Sequence, residues 1–295
     1  MNRDLDWNLY RTFLAVMRTG SLSSAARQLG MTQPSISRHV DMLEAAFGVD
    51  LFVRTQRGLD PTDMARELLP HVEALAAATA VLARVASGPA GEVSGAVRVS
   101  ASDAVGVEIL PPILSRLRRA HPQLVVELSL SDDVADLLKR EADIALRMVE
   151  PKQSALLAKR LPPVRIGLHA RRDYLARRGV PATQAQLSAH DLIGYDRETP
   201  AMRTLTAQYP MMDRTTFALR TDSSLAQFAA IRAGFGIGMC QVGLAARAGD
   251  LVRVLPEVAF DYPLWVVMHE DLKTSARYRA VFDALVAGLT EAFAA

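Results

Sequence analysis

The chain has 295 residues, half of them apolar and 22% charged, and a formal net charge of +2. Such a length exceeds one ordinary core and predicts two domains or three, and the apolar fraction excludes a disordered chain. There is no apolar run of the roughly 20 residues that span a bilayer, the start Met1-Asn2-Arg3-Asp4-Leu5-Asp6 lacks a signal core, and the single cysteine, Cys240, excludes an internal disulfide framework; a cytoplasmic protein is expected.

Bulk charge does not announce a nucleic-acid partner. Residues 1–62 carry seven arginines against six carboxylates, so any DNA contact depends on where the arginines stand. The first elements are short helices. Leu22, Ala26 and Leu29 make one apolar face, Gly30 ends that helix, and Thr32 with Pro34 opens the next as N-cap and first-turn proline. The second helix buries Ile36, Val40, Leu43 and Phe47. Small Ala25 and Ala26 let the two cross closely, which predicts a helix-turn-helix. The outward face carries Gln33, Pro34, Ser35, Ser37, Arg38 and Asp41. Glutamine and arginine can bond base edges there, while serine suits phosphates; the simpler reading is a helical hairpin with a solvated polar face.

Beyond it, Leu51-Phe52-Val53 is β-prone and Gly58 permits a turn, so a hairpin wing is predicted with Arg54 and Arg57 beside the phosphate backbone. The alternative is two solvated arginines.

Together these residues resemble the LysR-type transcriptional regulators. The resemblance rests on Phe13-Leu14-Ala15-Val16, Gly20-Ser21-Leu22, Ala25-Ala26, Gln33-Pro34-Ser35-Ile36-Ser37-Arg38, Leu43-Glu44 and Leu51-Phe52-Val53-Arg54, in order and at family spacing. One departure lies at the wing's end, where the usual Leu-Thr-x-Ala-Gly reads Pro61-Thr62-Asp63-Met64-Ala65. The resemblance implies a winged helix-turn-helix over residues 1–62 that binds double-stranded promoter DNA.

From Thr62 an alanine-rich helical pattern runs to the breaker cluster Ser87-Gly88-Pro89-Ala90-Gly91. Ala65, Leu68, Val72, Leu75, Thr79, Leu82 and Ala86 recur at steps of three and four, a heptad seam that asks for a partner helix. Pro70 should kink that helix or cost it one hydrogen bond. The alternative is a helix lying on its own C-terminal domain. Resemblance favours a linker and dimerisation helix over residues 63–90, hence a homodimer or homotetramer, with RNA polymerase a further possible partner and no membrane role.

Residues 91–295 alternate β-rich runs with amphipathic helices, which predicts α/β units with a largely parallel sheet. Val97-Arg98-Val99-Ser100, Leu124 to Leu130 and Asp143 to Arg147 read as strands, with one helix between the first two using Ile109, Ile113 and Leu117. A comparable set includes Val164 to Leu168, Leu192 to Asp196, and Thr221-Asp222-Ser223-Ser224 before a helix bearing Leu225, Phe228 and Ile231. Leu264 to Met268 precedes a last helix that buries Tyr278, Phe282, Leu285 and Leu289. This resembles the two-lobed, periplasmic-binding-protein-like effector domain of the same family. That implies one lobe of about 91–162 plus 264–295, another of about 163–263, and crossings near Leu161-Pro162-Pro163 and Tyr262-Pro263.

Open α/β sheets bind ligands beyond the carboxyl ends of their strands. Ser100, Ser102, Asp103 and Ser131 occupy such ends in one half, with Arg147 as a charge-assisted donor; Tyr195, Asp196, Thr221, Asp222 and Ser223 occupy them in the other. A small-molecule effector between them is expected, anionic or polar. The plainer reading makes these residues helix caps, and three acidic members leave room for an amine or a neutral ligand. Nothing points to a cofactor or metal: the six histidines lack ligand spacing, and there is no nucleophile elbow or Walker loop. Gly234-Phe235-Gly236-Ile237-Gly238 reads as a tight packed turn and Cys240 as a small core residue. The expected function is a ligand-modulated, sequence-specific transcription regulator and not an enzyme. The alternatives are a bifunctional enzyme carrying a DNA-binding domain, and a solute-binding module.

Overall fold

Local signals dominate the first unit. Helix α1 (Trp7–Thr19) is capped by Asp6, which accepts a 2.8 Å bond from the Asn8 amide. Helix α2 (Leu22–Leu29) ends at Gly30, and α3 (Gln33–Phe47) starts at Thr32 with Pro34 in its first turn. Ala25 and Ala26 are buried where α2 meets α1 and α3, beside Val16, Ile36 and Val40. Strands β1 (Phe52–Thr55) and β2 (Gly58–Pro61) pair antiparallel. The structure is a computed structural model describing residues 5–55, 58–85, 92–131, 142–151, 156–198 and 200–293; Arg57, Ala86 of the expected seam and the 87–91 breaker lie outside them. Among the described residues no helix is long and apolar enough to cross a membrane.

Helix α4 (Asp63–Val85) runs through Pro70 without a break, although proline leaves the Arg66 carbonyl without an intrahelical donor. Here the expected seam needs correction. Ala65 and Val72 are buried in the unit's own core with Leu9, Phe13, Leu43 and Leu51, so the first half of the seam is already covered. Leu75 and Leu82 are 42% and 69% exposed.

The chain forms two compact units, Met1–Val85 and Ala86–Ala295. In the second unit β3 (Gly95–Ala101) lies between β4 (Leu124–Leu130) and β5 (Ile144–Arg147), parallel to both. The single helix expected after β3 is two, α5 (Asp103–Glu108) and α6 (Leu110–Ala120), broken at Ile109 just before Pro111-Pro112. The sheet is also less parallel than expected. Strand β6 (Leu156–Arg171) runs antiparallel to β11 (Ala259–His269) along nearly its whole length. Between them in sequence come α7 (Arg172–Arg178), β7 (Leu192–Gly194), α8 (Pro200–Gln208), β8 (Phe217–Arg220), α9 (Ser224–Arg232), β9 (Ile237–Gln241), α10 (Val242–Ala248) and β10 (Leu251–Arg253). Strand β7 is parallel to β8 and β9, whereas β9 and β10 pair antiparallel with β6.

Two prolines do not end β6 because of what faces them. Leu161 pairs with Leu264 and Val164 with Tyr262, so Pro162 and Pro163 stand against Pro263 alone. That is a bulge of two residues against one, where missing ladder donors cost nothing. The last helix, α11 (Ala276–Phe293), buries Tyr278, Phe282, Leu285 and Leu289 on the β3–β5 side of the sheet. A second core gathers Leu168, Tyr174, Leu187, Leu192, Met212 and Phe217.

The Gly234 to Gly238 turn is tight packing. A Cβ on Gly236 would meet the Asp191 carbonyl oxygen at 1.9 Å, and Ile237 donates to that same oxygen at 2.9 Å. Nearby, burial holds His169 down to about 4 and pushes the Cys240 thiol up to about 12. His169 is 2% exposed, and its Nδ1 lies 2.8 Å from the Gly167 carbonyl and 3.3 Å from Cys240 Sγ. The unfolded chain therefore takes up the histidine proton first, and stability falls as pH drops from 6.5 towards 4. Between pH 7 and 5 this group alone should remove about 2 kcal/mol, measured by urea unfolding. His169→Gln should flatten the pH dependence over that window, and an unchanged slope would show that His169 is not the group responsible.

Candidate functional site

The recognition helix is held from three sides. Thr12, 1% exposed on α1, bonds His39 Nδ1 on α3 at 2.8 Å. Ile36, Val40 and Leu43 seal the inner face. Glu44 Oε1 accepts the Leu51 amide at 2.7 Å and the Phe52 amide at 3.2 Å, so one carboxylate of α3 fixes where the wing begins. The wing is tied back as well. Leu59 donates to the Gly20 carbonyl at 3.1 Å, and a Cβ on Gly58 would meet that oxygen at 2.8 Å. Only glycine, at φ 129°, serves here. Thr62 closes the hairpin, its hydroxyl donating to the Asp50 carbonyl at 2.9 Å and accepting the Ala65 amide at 3.3 Å.

What remains outward is polar. Gln33, Pro34 and Arg38 are exposed, and Ser35 and Ser37 half-buried. The Gln33 carbonyl oxygen accepts from Ser23 of α2 at 3.1 Å, and the Ser35 hydroxyl bonds Thr32 at 2.8 Å. Arg54 is exposed on β1. No ion pair engages Arg38 or Arg54 among the described residues, so their guanidinium charge is open to a polyanion even though the unit is nearly neutral.

In the second unit the ten expected effector residues divide. Ser100, near the carboxyl end of β3, accepts a 3.0 Å bond from Arg147 Nη1 at the end of β5. Ser102 precedes α5 without capping it through its side chain. The Ser131 amide donates to the Ala101 carbonyl at 3.1 Å, and Asp103 is the first residue of α5. Burial lowers Arg147 to about 10, and the group stays charged at neutral pH.

The other five residues are engaged locally, in two pairs and a packed ring. Asp222 accepts the amides of Asp196 and Arg197 at 3.1 and 2.9 Å and pairs with the Arg197 guanidinium at 3.1 Å. Asp196 pairs with Arg214 at 2.7 Å. Ser223 caps α9, Thr221 accepts the Ser223 amide, and Tyr195 packs beside the second core. Of these, Ser223 caps a helix as the plainer reading foresees, whereas Asp196 and Asp222 serve ion pairs and turn amides and cap no helix. Among the described residues no hydrogen bond or ion pair joins Ser100 or Arg147 to Asp196, Thr221, Asp222 or Ser223.

Sequence reasoning passed over Trp265 and Arg160. Trp265 stands opposite both Arg147 and Arg160 in the sheet, and its indole nitrogen is buried without a partner. Alternation was the available signal: Leu264 and Val266 face the core, which turns Trp265 to the face that also bears Arg147.

Known proteins carry the same two parts. Residues 7–66 match the model of the bacterial regulatory helix-turn-helix protein, lysR family, and residues 90–290 match the LysR substrate binding domain. A probable HTH-type transcriptional regulator LtrA of Klebsiella pneumoniae is 33% identical over 95% of this chain and 96% of that protein. The HTH-type transcriptional regulator CrgA of Neisseria meningitidis is 29% identical over 93% and 94%. The solved CrgA structure, 25% identical, superposes over 98% of this chain and 99% of that one with a TM-score of 0.57. The Vibrio cholerae virulence activator AphB, 20% identical with a TM-score of 0.60 over 96% and 99%, shares the fold. With both family models matched in order and relatives alike along nearly the whole chain, this protein belongs to the LysR family: it is a LysR-type transcriptional regulator with a DNA-binding helix-turn-helix and an effector-binding substrate domain.

Proposed function

We propose that the regulator reads an inverted-repeat operator as a homodimer or homotetramer in the cytoplasm, without catalysis of its own. Gln33, Pro34, Ser35, Ser37 and Arg38 lie in the major groove, and Arg54 and Arg57 of the wing against the backbone. Residues 1–62 act as the DNA-binding domain, 63–90 as the pairing helix and 91–295 as the two-lobed effector domain. The observation that carries this reading is the face of α3: polar, and at Arg38 exposed and free of ion pairs among the described residues, on a helix whose other face is core. Relatives named as regulators and not as enzymes support a chain without catalysis.

The effector sits between the lobes, among Ser100, Ser102, Asp103, Ser131 and Arg147 on one side and Tyr195, Asp196, Thr221, Asp222 and Ser223 on the other. It acts by binding one arrangement of the lobes more tightly, so effector and DNA affinities are linked reciprocally. Contact with RNA polymerase would convert DNA occupancy into a transcriptional response. Selection from a random duplex pool with the full chain tests the DNA reading. The expected winner is an inverted repeat whose half-sites are about 10 bp, or a multiple, apart. Enrichment of nothing, or of one unrepeated half-site, would overturn it.

A further inference from the structure

Local hydrogen bonds settle most of the hydroxyls where α2 meets the start of α3. The Ser21 hydroxyl caps α2 by accepting the Ser24 amide at 3.4 Å, and the Ser24 hydroxyl accepts from Arg27 Nη2 at 3.0 Å. Thr32 and Ser35 share a bond of 2.8 Å across the first turn of α3. The Ser23 hydroxyl instead crosses between the helices, donating to Gln33 Oε1 at 3.1 Å over ten residues of chain. Both ends of that bond are exposed, yet buried residues set their separation. Ala25 and Ala26 of α2 share one core with Ile36 and Val40 of α3, and close-packed cores hold their elements in place.

A glutamine amide offers different things at its two ends. The oxygen only accepts and the nitrogen only donates, so the end that faces a groove decides which bases can be read. An amide free to turn pairs with adenine both ways at once, donating to N7 and accepting from N6. Ser23 draws the Gln33 oxygen towards α2, the helix that crosses the backbone in a helix-turn-helix and stays out of the groove. The nitrogen, on the other arm of the planar amide, is left outward. Among the described residues no bond engages it, and both its protons are open to acceptors. In the major groove the keto bases present acceptors, O6 and N7 of guanine and O4 of thymine. Adenine and cytosine place an amino group there, which would meet the Gln33 nitrogen donor to donor.

We propose that Ser23 is a positioning residue for base readout: by holding the Gln33 carbonyl against α2, it makes this glutamine a donor that selects guanine or thymine over adenine. This rests on the placement of α3 in the major groove given above, and names the class of base that one of its residues reads. Ser23 acts here without touching a base.

Selection from a random duplex pool is run in parallel with the full chain as wild type, Gln33→Ala, Ser23→Ala and Ser23→Thr. The half-site position whose preference vanishes in Gln33→Ala is the one that Gln33 reads. In the wild type it should carry guanine or thymine about 5-fold over adenine, the worth of one hydrogen bond. Ser23→Ala frees the amide to turn and should bring adenine to within about 2-fold of the keto bases at that position. Preferences at the other positions and the unfolding midpoint should stay as in the wild type, since Ser23 is exposed. Ser23→Thr keeps the hydroxyl and should keep the wild-type preference. Adenine favoured by the wild type at the Gln33 position, or a Ser23→Ala motif identical to the wild type's, overturns the proposal and leaves α3 in the groove. A loss in Ser23→Ala spread evenly over all positions makes Ser23 a general support of the domain and overturns it as well. If no position responds to Gln33→Ala, Gln33 reads no base, and its placement in the groove falls together with the proposal.

Discussion

Arg38→Ala should abolish site-specific DNA binding while leaving the fold intact. Arg38 is exposed on α3 and engages no acid among the described residues, so its removal should change stability by no more than about 0.5 kcal/mol, as for other plain surface positions. In the groove, a lost base-edge pair costs about 1–3 kcal/mol. An operator with two half-sites loses it twice, and for well-separated positions the losses add. The expected penalty is about 2–6 kcal/mol, roughly 30-fold to 10⁴-fold in affinity. Gel shifts on the cognate operator at fixed salt measure it. An unchanged affinity would mean that α3 does not read bases through Arg38. A loss equal on all sequences, with the salt slope lowered by about one, would move Arg38 to the phosphate backbone.

The second large effect concerns pairing. Leu75→Asp combined with Leu82→Asp should halve the sedimenting particle and weaken operator binding about 10²- to 10⁴-fold, because the second half-site is then no longer held at high effective concentration. The structure divides the seam into parts with opposite behaviour. Leu75 and Leu82 are exposed in the single chain, so charging them should leave the fold intact. Val72 is buried among Leu9, Phe13 and Leu43, and Val72→Asp should unfold the first unit by placing an unpaired charge in its core. A Leu75/Leu82 variant with the wild-type sedimentation coefficient would remove the C-terminal half of α4 from the interface.

What could be read in advance follows from range along the chain. The helix-turn-helix was legible because its determinants are local: Thr32 and Pro34 open α3, Gly30 closes α2, and Ala25 and Ala26 permit the close crossing. The wing was legible from Gly58 and Arg54, though not its anchoring, since Glu44 reaches seven and eight residues ahead and Leu59 bonds back to Gly20. In the sequence the effector residues stand out only as polar turns at strand ends. That criterion cannot separate Ser223, whose hydroxyl caps a helix, from Ser102, whose hydroxyl caps nothing.

By itself, the sequence determined the winged helix-turn-helix, the long helix after it, the α/β character of the rest, and through matched motifs the family. Caps, turn glycines and apolar periods act over a few residues, and their spacing is visible in one dimension. Only the tertiary structure decided how the seam is shared between core and surface, for Val72 and Leu75 look alike until α1 covers one of them. It alone decided that β6 passes through Pro162-Pro163, because the bulge depends on Pro263 a hundred residues later. The row of Arg147, Trp265 and Arg160 is likewise a product of register between strands far apart in the chain, and no local propensity encodes which residues stand opposite one another.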